Sequence, residues 1–531
     1  MIDSVELVGL VPVMRVVFFL SVGAALFTAA SFLAVLSYGH FARHARGEPS
    51  VALPIEPAFT ILDKGVAPRV EAAAGKSGLT LLSGNLDAFA ARALTARAAG
   101  RSLDLMYYYW RGDLTGRLLA NEIITAADRG VRVRLLLDDI NTTGNDKIYL
   151  SLDSHENIEV RLFNPSRARS GGLRRGMEMA LRAFSVTRRM HNKAWIADGR
   201  LAIVGGRNVG DQYFDAAETS NFRDIDMILM GPLVQETETV FDAFWNSEVT
   251  MPIQAVAEEG EGRLGDLRRS LARVSEAASA APYIQRVHER ISVLSMLDGG
   301  VPTHWTGDAR IISDPPEKAL SQGSDNWIMS TLMSVIASAQ HSVQITSPYF
   351  VPGTEGTASL SMLTEAGVEV EVLTNSLAAT DVAMVHGGYA PYRVPLLSSG
   401  VQIYELQPYV RKASISLLGS RGASLHTKAF TVDEHTGFVG SFNFDPRSAS
   451  LNTEMGVLFV EPGLVARLRE IFRNETSPHM SYRVYLSDSG SLRWDGEDDD
   501  RMVTWDHEPE ASFMRRLVAR VVSWLPIESQ L

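Results

Sequence analysis

The pattern His-x-Lys-x-x-x-x-Asp occurs twice in this chain, as His191, Lys193 and Asp198 and again as His426, Lys428 and Asp433. In each copy six residues separate the Asp from a Gly-Gly/Ser-x-Asn turn. The turn comprises Gly205, Gly206 and Asn208 in the first copy, and Gly440, Ser441 and Asn443 in the second. A single His-x-Lys carries little information. Two copies in register, each with its own turn, constrain the chain to a duplicated fold whose half-sites meet.

Both copies, MHNKAWIADGRLAIVGGRN and LHTKAFTVDEHTGFVGSFN, read as a strand, a turn and a second strand. On a strand, residues i and i+2 share a face, so His191 is expected beside Lys193 and His426 beside Lys428. The apolar runs Ala194–Ala197 and Ala429–Val432 are expected to continue as buried strand. Two histidines, two lysines and two asparagines converging on one point suit a phosphodiester. One imidazole can attack phosphorus while the other protonates the leaving oxygen. The lysines and the amides of Asn208 and Asn443 can hold the non-bridging oxygens as negative charge builds up. The cationic side chains supply the charge stabilisation, so no metal or other cofactor is required, and ammonium groups would repel a metal ion. Each imidazole needs a carboxylate on its second nitrogen. Asp224 and Glu454 lie at similar offsets after the two turns and are assigned that role. Asp198 and Asp433 belong to the catalytic motif, but their position predicts that they brace the turn rather than touch substrate.

The duplication extends beyond the motifs. Residues 101–110 (RSLDLMYYYW) match 341–350 (HSVQITSPYF), and 130–137 (GVRVRLLL) match 367–374 (GVEVEVLT). From the first of these strands to the motif histidine is 90 residues in one half and 85 in the other, as an internal repeat requires. Strand–helix–strand units predict an α/β fold of two pseudo-symmetric halves, each a mixed sheet flanked by helices, with both motifs at the seam. The halves are expected over residues 76–250 and 301–484, joined by a helical bridge at 251–300. A C-terminal hairpin and an amphipathic helix are expected over 485–531, and that helix either lies in a membrane interface or packs on the protein body.

Residues 16–38 form a 23-residue run without a charge, long enough to cross a bilayer as helix and longer than the apolar core of a cleavable signal. Residues 1–46 are therefore expected to be a retained single-span anchor, with 47–75 a Pro- and Gly-bearing linker. Arg15 before the run and Arg43 and Arg46 after it leave the side of the catalytic region open.

These features resemble the phospholipase D superfamily, whose signature is the HxKxxxxD motif with a trailing GSxN, over roughly residues 75–480. Within it the chain is most similar to bacterial cardiolipin synthases of the C type, through DLMYYYW (104–110), RRMHNK (188–193), GGRNVGDQYF (205–214), FRDIDM (222–227) and SPYFVPG (347–353). The resemblance implies a membrane enzyme of the bacterial inner membrane that works through a covalent phosphatidyl-histidine. It implies His191 as nucleophile and His426 as acid and base. The phosphatidyl group then passes to a lipid hydroxyl, with phosphatidylglycerol as the expected substrate lipid and phosphatidylethanolamine as a further candidate. The family's turn serine, Ser441 here, would face substrate with the asparagines. Gly206 departs from that pattern and removes one hydroxyl from the first half-site. A phospholipase D hydrolase releasing phosphatidic acid would use the same residues, and so would a nuclease of the superfamily.

Composition bears on these alternatives. The formal net charge of −12 argues against a nucleic-acid partner. The chain has no cysteine, which excludes disulfides, thiol catalysis and zinc-thiolate sites. Eight arginines between 161 and 189 face one acid, Glu178, and lead into His191. They are expected to form either a basic rim for anionic headgroups or a solvated insertion.

Overall fold

The computed structural model describes residues 4–142, 144–169, 172–257, 263–299, 302–324, 327–408, 423–499, 501–525 and 527–530. Three parallel strands, Ser102–Tyr107, Arg132–Asp138 and Ile158–Phe163, make the spine of the first half. The helix Leu114–Asp128 connects the first two, started by Asp113, whose carboxylate accepts the Gly116 N–H. The motif hairpin, Ala194–Ala197 with Leu201–Gly205, adds antiparallel to Ser102–Tyr107. Asp226–Met230 and Ser77–Leu82 follow beyond it in a nine-stranded mixed sheet.

The second half repeats the order. Ser342–Thr346, Glu369–Asn375 and Gln402–Leu406 are its parallel spine, flanked by the hairpin Ala429–Val432 with Thr436–Gly440 and then Met455–Val460. Buried residues from both halves share one core, among them Val204, Met227 and Leu229 from the first and Val439, Val457 and Phe459 from the second. Each such fully buried aliphatic or aromatic side chain contributes about 1.5–3 kcal/mol, so the halves are held together by apolar packing rather than by the few polar groups at their seam.

Several boundaries differ from those read from the sequence. The strand His304–Thr306 pairs with Ser77–Leu82, so the first sheet reaches past residue 300. The linker contains a helix, Ile61–Ala72, opened by a reciprocal cap between Thr60 and Asp63. Asp63 is buried against Arg101 and Arg200. The C-terminal hairpin Leu492–Asp498 with Arg501–Trp505 is not separate from the second half, because Ser481–Leu486 joins it to Gln402–Leu406 in a ten-stranded sheet.

The first helix, Ser4–His44, contains a stretch long and apolar enough to cross a membrane, and that stretch is unpacked against the protein. Its C-terminal end docks on the arginine-bearing insertion: the Arg182 guanidinium lies over the Tyr38 ring and Arg167 lies 4.6 Å from the Phe41 ring centre. The arginines of that insertion are mostly structural rather than a basic rim. Arg161, Arg169, Arg182 and Arg189 are buried and paired with Glu159, with Asp139 and Asp146, with Glu178, and with Asp138. Arg174 remains exposed. His386 is likewise internal, 3.5 Å from Glu508, in a cluster where Arg393 already bridges Glu405 and Glu508.

Candidate active site

The motif histidines and lysines do not lie within strands. They occupy extended segments just before the hairpins, which begin at Ala194 and Ala429. The reason is that these segments pair with the opposite half. Met190 bridges Thr453 in parallel, and the His191 N–H donates to the Thr453 carbonyl at 2.9 Å. In the second half Ala423–Leu425 pairs in parallel with Asn221–Arg223, and the His426 N–H donates to the Arg223 carbonyl at 2.8 Å. Each pairing ends one residue before an acid, Glu454 in one case and Asp224 in the other.

The consequence is a crossed arrangement. His191 Nδ1 sits 2.8 Å from Glu454 Oε2, and His426 Nδ1 sits 2.6 Å from Asp224 Oδ2. Each imidazole is oriented by a carboxylate from the other half, so neither half holds a complete site. The carboxylates themselves are fixed. Ser441 Oγ donates to Glu454 Oε2 at 2.5 Å and Ser448 Oγ to Oε1 at 2.9 Å, while the Ile225 N–H donates to Asp224 Oδ1 at 2.8 Å. Ser441 thus serves Glu454, not the substrate position expected of it. Gly206 occupies the matching place in the first half, and a Cβ there would collide with the Asp224 carboxylate. The missing hydroxyl is a steric requirement of the acid behind it.

Lys193 Nζ donates to the His191 carbonyl at 2.5 Å, and Lys428 Nζ lies 3.0 Å from His426 Nδ1. The two asparagines differ. Asn208 Nδ2 donates to the Tyr213 hydroxyl at 2.9 Å, whereas Asn443 Oδ1 is buried with no partner among the described residues. Asp198 and Asp433 lie away from the imidazoles. The Asp198 carboxylate takes the N–H groups of Gly100, Arg101 and Ser102, and Asp433 those of Gln340, His341 and Ser342. Both occupy the left-handed region, with φ of 56° and 51°. They tie each motif hairpin to the neighbouring spine strand, which is the bracing role.

Aromatic rings wall the histidines. Tyr108 meets His191 edge-on at 5.1 Å; Tyr213 and Phe222 lie 5.1 and 4.8 Å from His426. The Tyr213 hydroxyl is 3.5 Å from His426 Nε2, while His191 Nε2 meets no hydrogen-bonding group among the described residues. Tyr213 and Phe222 are not singled out by the motif reading. Their signal is their place in the segments 205–214 and 222–227 that carry the family resemblance, next to Asn208 and Asp224.

Burial sets the protonation states. His191 keeps 8% and His426 7% of its exposure, while Lys193 and Lys428 keep 2% and 1%, so the imidazoles are the accessible groups. Desolvation lowers His191 to about 4, against the pull of Glu454, and holds His426 well below its usual value with the help of Lys428 and Lys193. The same burial lowers Lys193 to about 7 and Lys428 to about 8, despite the carboxylates nearby. Burial would raise Glu454, but His191, Lys193 and Ser441 outweigh it and leave the acid below its usual range. Asp224 goes the other way, its burial exceeding the effect of Lys428 and Arg207. At neutral pH the site therefore presents unprotonated imidazoles, the state an attacking nitrogen requires, beside lysines that are only partly charged.

Both halves match a family described as "Cardiolipin synthase, PLD-like domain", over residues 95–245 and 332–476. The chain belongs to this phospholipase D-like family. A relative named cardiolipin synthase C, from Escherichia coli strain K12, is 39% identical over 88% of this chain and 99% of its own length. Cardiolipin synthase 1 of Staphylococcus epidermidis is 25% identical over 72% of this chain and 65% of its own. Among solved structures, the fold is shared with a phosphatidylserine synthase of Haemophilus influenzae Rd KW20, at a TM-score of 0.56 and 12% identity, over 88% of this chain and 100% of that one. This phospholipase D-like protein is an enzyme of the phosphatidyltransferase and phospholipase D type.

Proposed function

We propose that this enzyme is anchored in the bacterial inner membrane by its first helix and transfers a phosphatidyl group to the free hydroxyl of phosphatidylglycerol, forming cardiolipin. The observation that carries the reading is the crossed pair of His–carboxylate contacts at the seam, flanked by Lys193 and Lys428. In the first step the lone pair on His191 Nε2 attacks phosphorus and the bond to the headgroup oxygen breaks. His426 Nε2 gives its proton to that oxygen, and the donor alcohol leaves. In the second step His426 takes the proton of the acceptor hydroxyl, whose oxygen attacks phosphorus and displaces His191.

The assignment of His191 as nucleophile is supported by its unencumbered Nε2 and by Glu454, which favours the ionised form and offsets the positive charge of a phosphatidylated imidazole. His426 needs a proton to act as acid, and the negative charge of an entering phosphodiester counters the two lysines that keep it neutral in the empty site. Lys193, Lys428 and the Asn443 amide N–H groups are assigned to hold the non-bridging oxygens.

The test is incubation of the membrane-embedded enzyme with labelled phosphatidylglycerol, with and without phosphatidylethanolamine, followed by identification of lipid products. Cardiolipin is the expected product. Phosphatidic acid as sole product would replace transfer by hydrolysis, and an increase with phosphatidylethanolamine would name that lipid as donor.

A further inference from the structure

The C-terminal helix Phe513–Val522 is attached to the protein by one side only. Ala519 and Val522 are buried against Gly387 on the helix Ala383–Tyr389, and Arg515 donates to the carbonyls of Leu377 and Thr380. The opposite side presents large apolar groups to the outside. Phe513 is 74% exposed and Trp524, just after the helix, 76%; Met514, Leu517, Val521 and Leu525 are also exposed. At roughly 100° per residue, Phe513, Leu517 and Val521 fall within about 80° of one another, on the face away from Ala519 and Val522. A helix needing only to pack on the protein would not carry this second stripe. The segment 513–525 contains no acid, and Arg520 is exposed beside the stripe.

Position identifies the occupant. The chain beyond the helix returns to the catalytic face: Glu528 accepts from the Tyr392 hydroxyl at 2.7 Å, and Arg447 donates both to the Gln530 carbonyl and to the Thr187 carbonyl, at 3.3 and 2.8 Å. Arg447 lies four residues after Asn443, and Thr187 four residues before His191. Thr187 belongs to the same insertion whose Arg167 and Arg182 receive the end of the membrane-crossing helix. A continuous set of contacts therefore runs from the exit of the first helix, past both motifs, to the C-terminal helix.

We propose that the helix Phe513–Val522, with Trp524 and Leu525, is a second membrane contact that lies in the headgroup region of an anionic bilayer, its apolar stripe down and Arg520 against lipid phosphates. A high apolar contrast across one helix, cationic flanks and an aromatic at the end are the features of interfacial helices. The inference rests on the lipid-substrate reading only in that the bilayer supplies the substrate. Two membrane contacts, the first helix and this one, would keep the half-sites near the surface from which a phospholipid must be drawn.

The absence of cysteine permits a direct test. Full-length Leu517→Cys and Trp524→Cys are spin-labelled in nanodiscs of phosphatidylglycerol and phosphatidylethanolamine, with Phe27→Cys as membrane reference and Ser489→Cys as water reference. Collision with oxygen against a water-soluble nickel chelate is expected to place both C-terminal labels with the membrane reference. Labels that behave like Ser489→Cys would overturn the proposal. The measurement needs no turnover, so an enzyme of another specificity would leave it intact. A second readout is the double variant Leu517→Glu/Val521→Glu. Its kcat/KM on vesicle lipid is expected to fall about tenfold with a soluble short-chain phospholipid unaffected; equal activity of variant and parent on vesicles would also count against the contact.

Discussion

His191 and Glu454 come from opposite halves of the chain, yet the imidazole Nδ1 and the carboxylate Oε2 lie 2.8 Å apart. The parallel bridge between Met190 and Thr453 sets this spacing, one residue before each partner. The same device joins Leu425 to Arg223 ahead of His426 and Asp224. The site is therefore a property of the assembled pair, and it orients each imidazole from across the seam.

Glu454→Gln tests the crossing. The amide fills the same space but cannot offset a positive charge on the imidazole, so kcat should fall by about 100-fold or more with KM little changed, by the usual size of acid–base and electrostatic terms. Asp224→Asn should act on the other step, the protonation of the leaving oxygen. Steady-state rates in mixed micelles decide; wild-type kcat in Glu454→Gln would remove the acid from the mechanism.

Gly206→Ser restores the residue common in the wider superfamily, and it should harm the enzyme. A Cβ at 206 collides with the Asp224 carboxylate. That acid is held by the Ile225 N–H and by His426, so it has no free rotamer to yield without giving up one of them. A loss of roughly tenfold or more in kcat is expected from an ångström-scale displacement of a catalytic partner, with the melting temperature read in parallel to show that the fold persists.

The titrations give a pH profile with its sign fixed. His191 must be neutral to attack, and burial holds it to about 4, so the acid limb of kcat/KM should lie well below 6. His426 must carry a proton to act as acid and is held well below its usual value in the empty site, and Lys193 and Lys428 must be charged, at about 7 and about 8, so kcat/KM should decline from below neutral pH and more steeply through the lysine window. An alkaline limb near 10 would contradict the burial of the lysines. Stability follows linkage in the other direction. Between pH 6.5 and about 4 the unfolded chain binds a proton that folded His191 refuses, so stability is full above 6.5 and falls as pH drops, by up to about 3 kcal/mol from this residue. Denaturant midpoints at pH 7 and 4.5 measure it.

Much of this arrangement can be read from the residues. Matched motifs place two half-sites, and strand–helix–strand repeats place the sheets. Asp224 and Glu454 stand out by their offsets. Their exchange between halves does not, because it depends on parallel main-chain pairing between segments more than 200 residues apart, which no local periodicity records. The same gap hides the role of Ser441, whose hydroxyl turns toward Glu454, and of Tyr213, whose hydroxyl reaches His426 only after the halves meet. The helix Ile61–Ala72 carries Pro68 and four charged groups and is not strongly amphipathic. Its legible signal is the Thr60–Asp63 cap. The arginines before His191 look like a surface cluster in sequence because their acidic partners, Asp138, Asp139 and Asp146, arrive from another strand end.

Asp198→Asn and Asp433→Asn should separate structure from chemistry. Each carboxylate collects three backbone N–H groups, and in Asp433 those bonds outweigh burial and lower its pKa. An amide oxygen can accept some of them but presents its NH₂ to the rest, leaving a donor unpaired at a cost of about 1–3 kcal/mol. Asn also tolerates the left-handed backbone these positions need. Lower melting temperature with near-normal kcat in the folded enzyme is the expected result. A collapse of kcat at unchanged stability would return these acids to the reaction.

The two histidines should be distinguishable by what they leave behind. His426 Nε2 faces the Tyr213 hydroxyl at 3.5 Å, a setting that suits proton exchange, while His191 Nε2 is free to meet phosphorus. If His426 supplies only protons, His426→Asn still allows slow attack on an activated donor whose leaving group needs no proton. The phosphatidyl adduct then accumulates, because the acceptor hydroxyl has lost its base. His191→Asn removes the attacking nitrogen and should yield no adduct with any donor. Both variants should be inactive in transfer from natural lipid, since each removes one of two obligatory roles. Acid-free quenching after exposure to a labelled donor with an aryl leaving group, followed by peptide mapping, should place the label on residue 191 in His426→Asn. Label on residue 426 in His191→Asn would exchange the two roles and leave the crossed carboxylates in place.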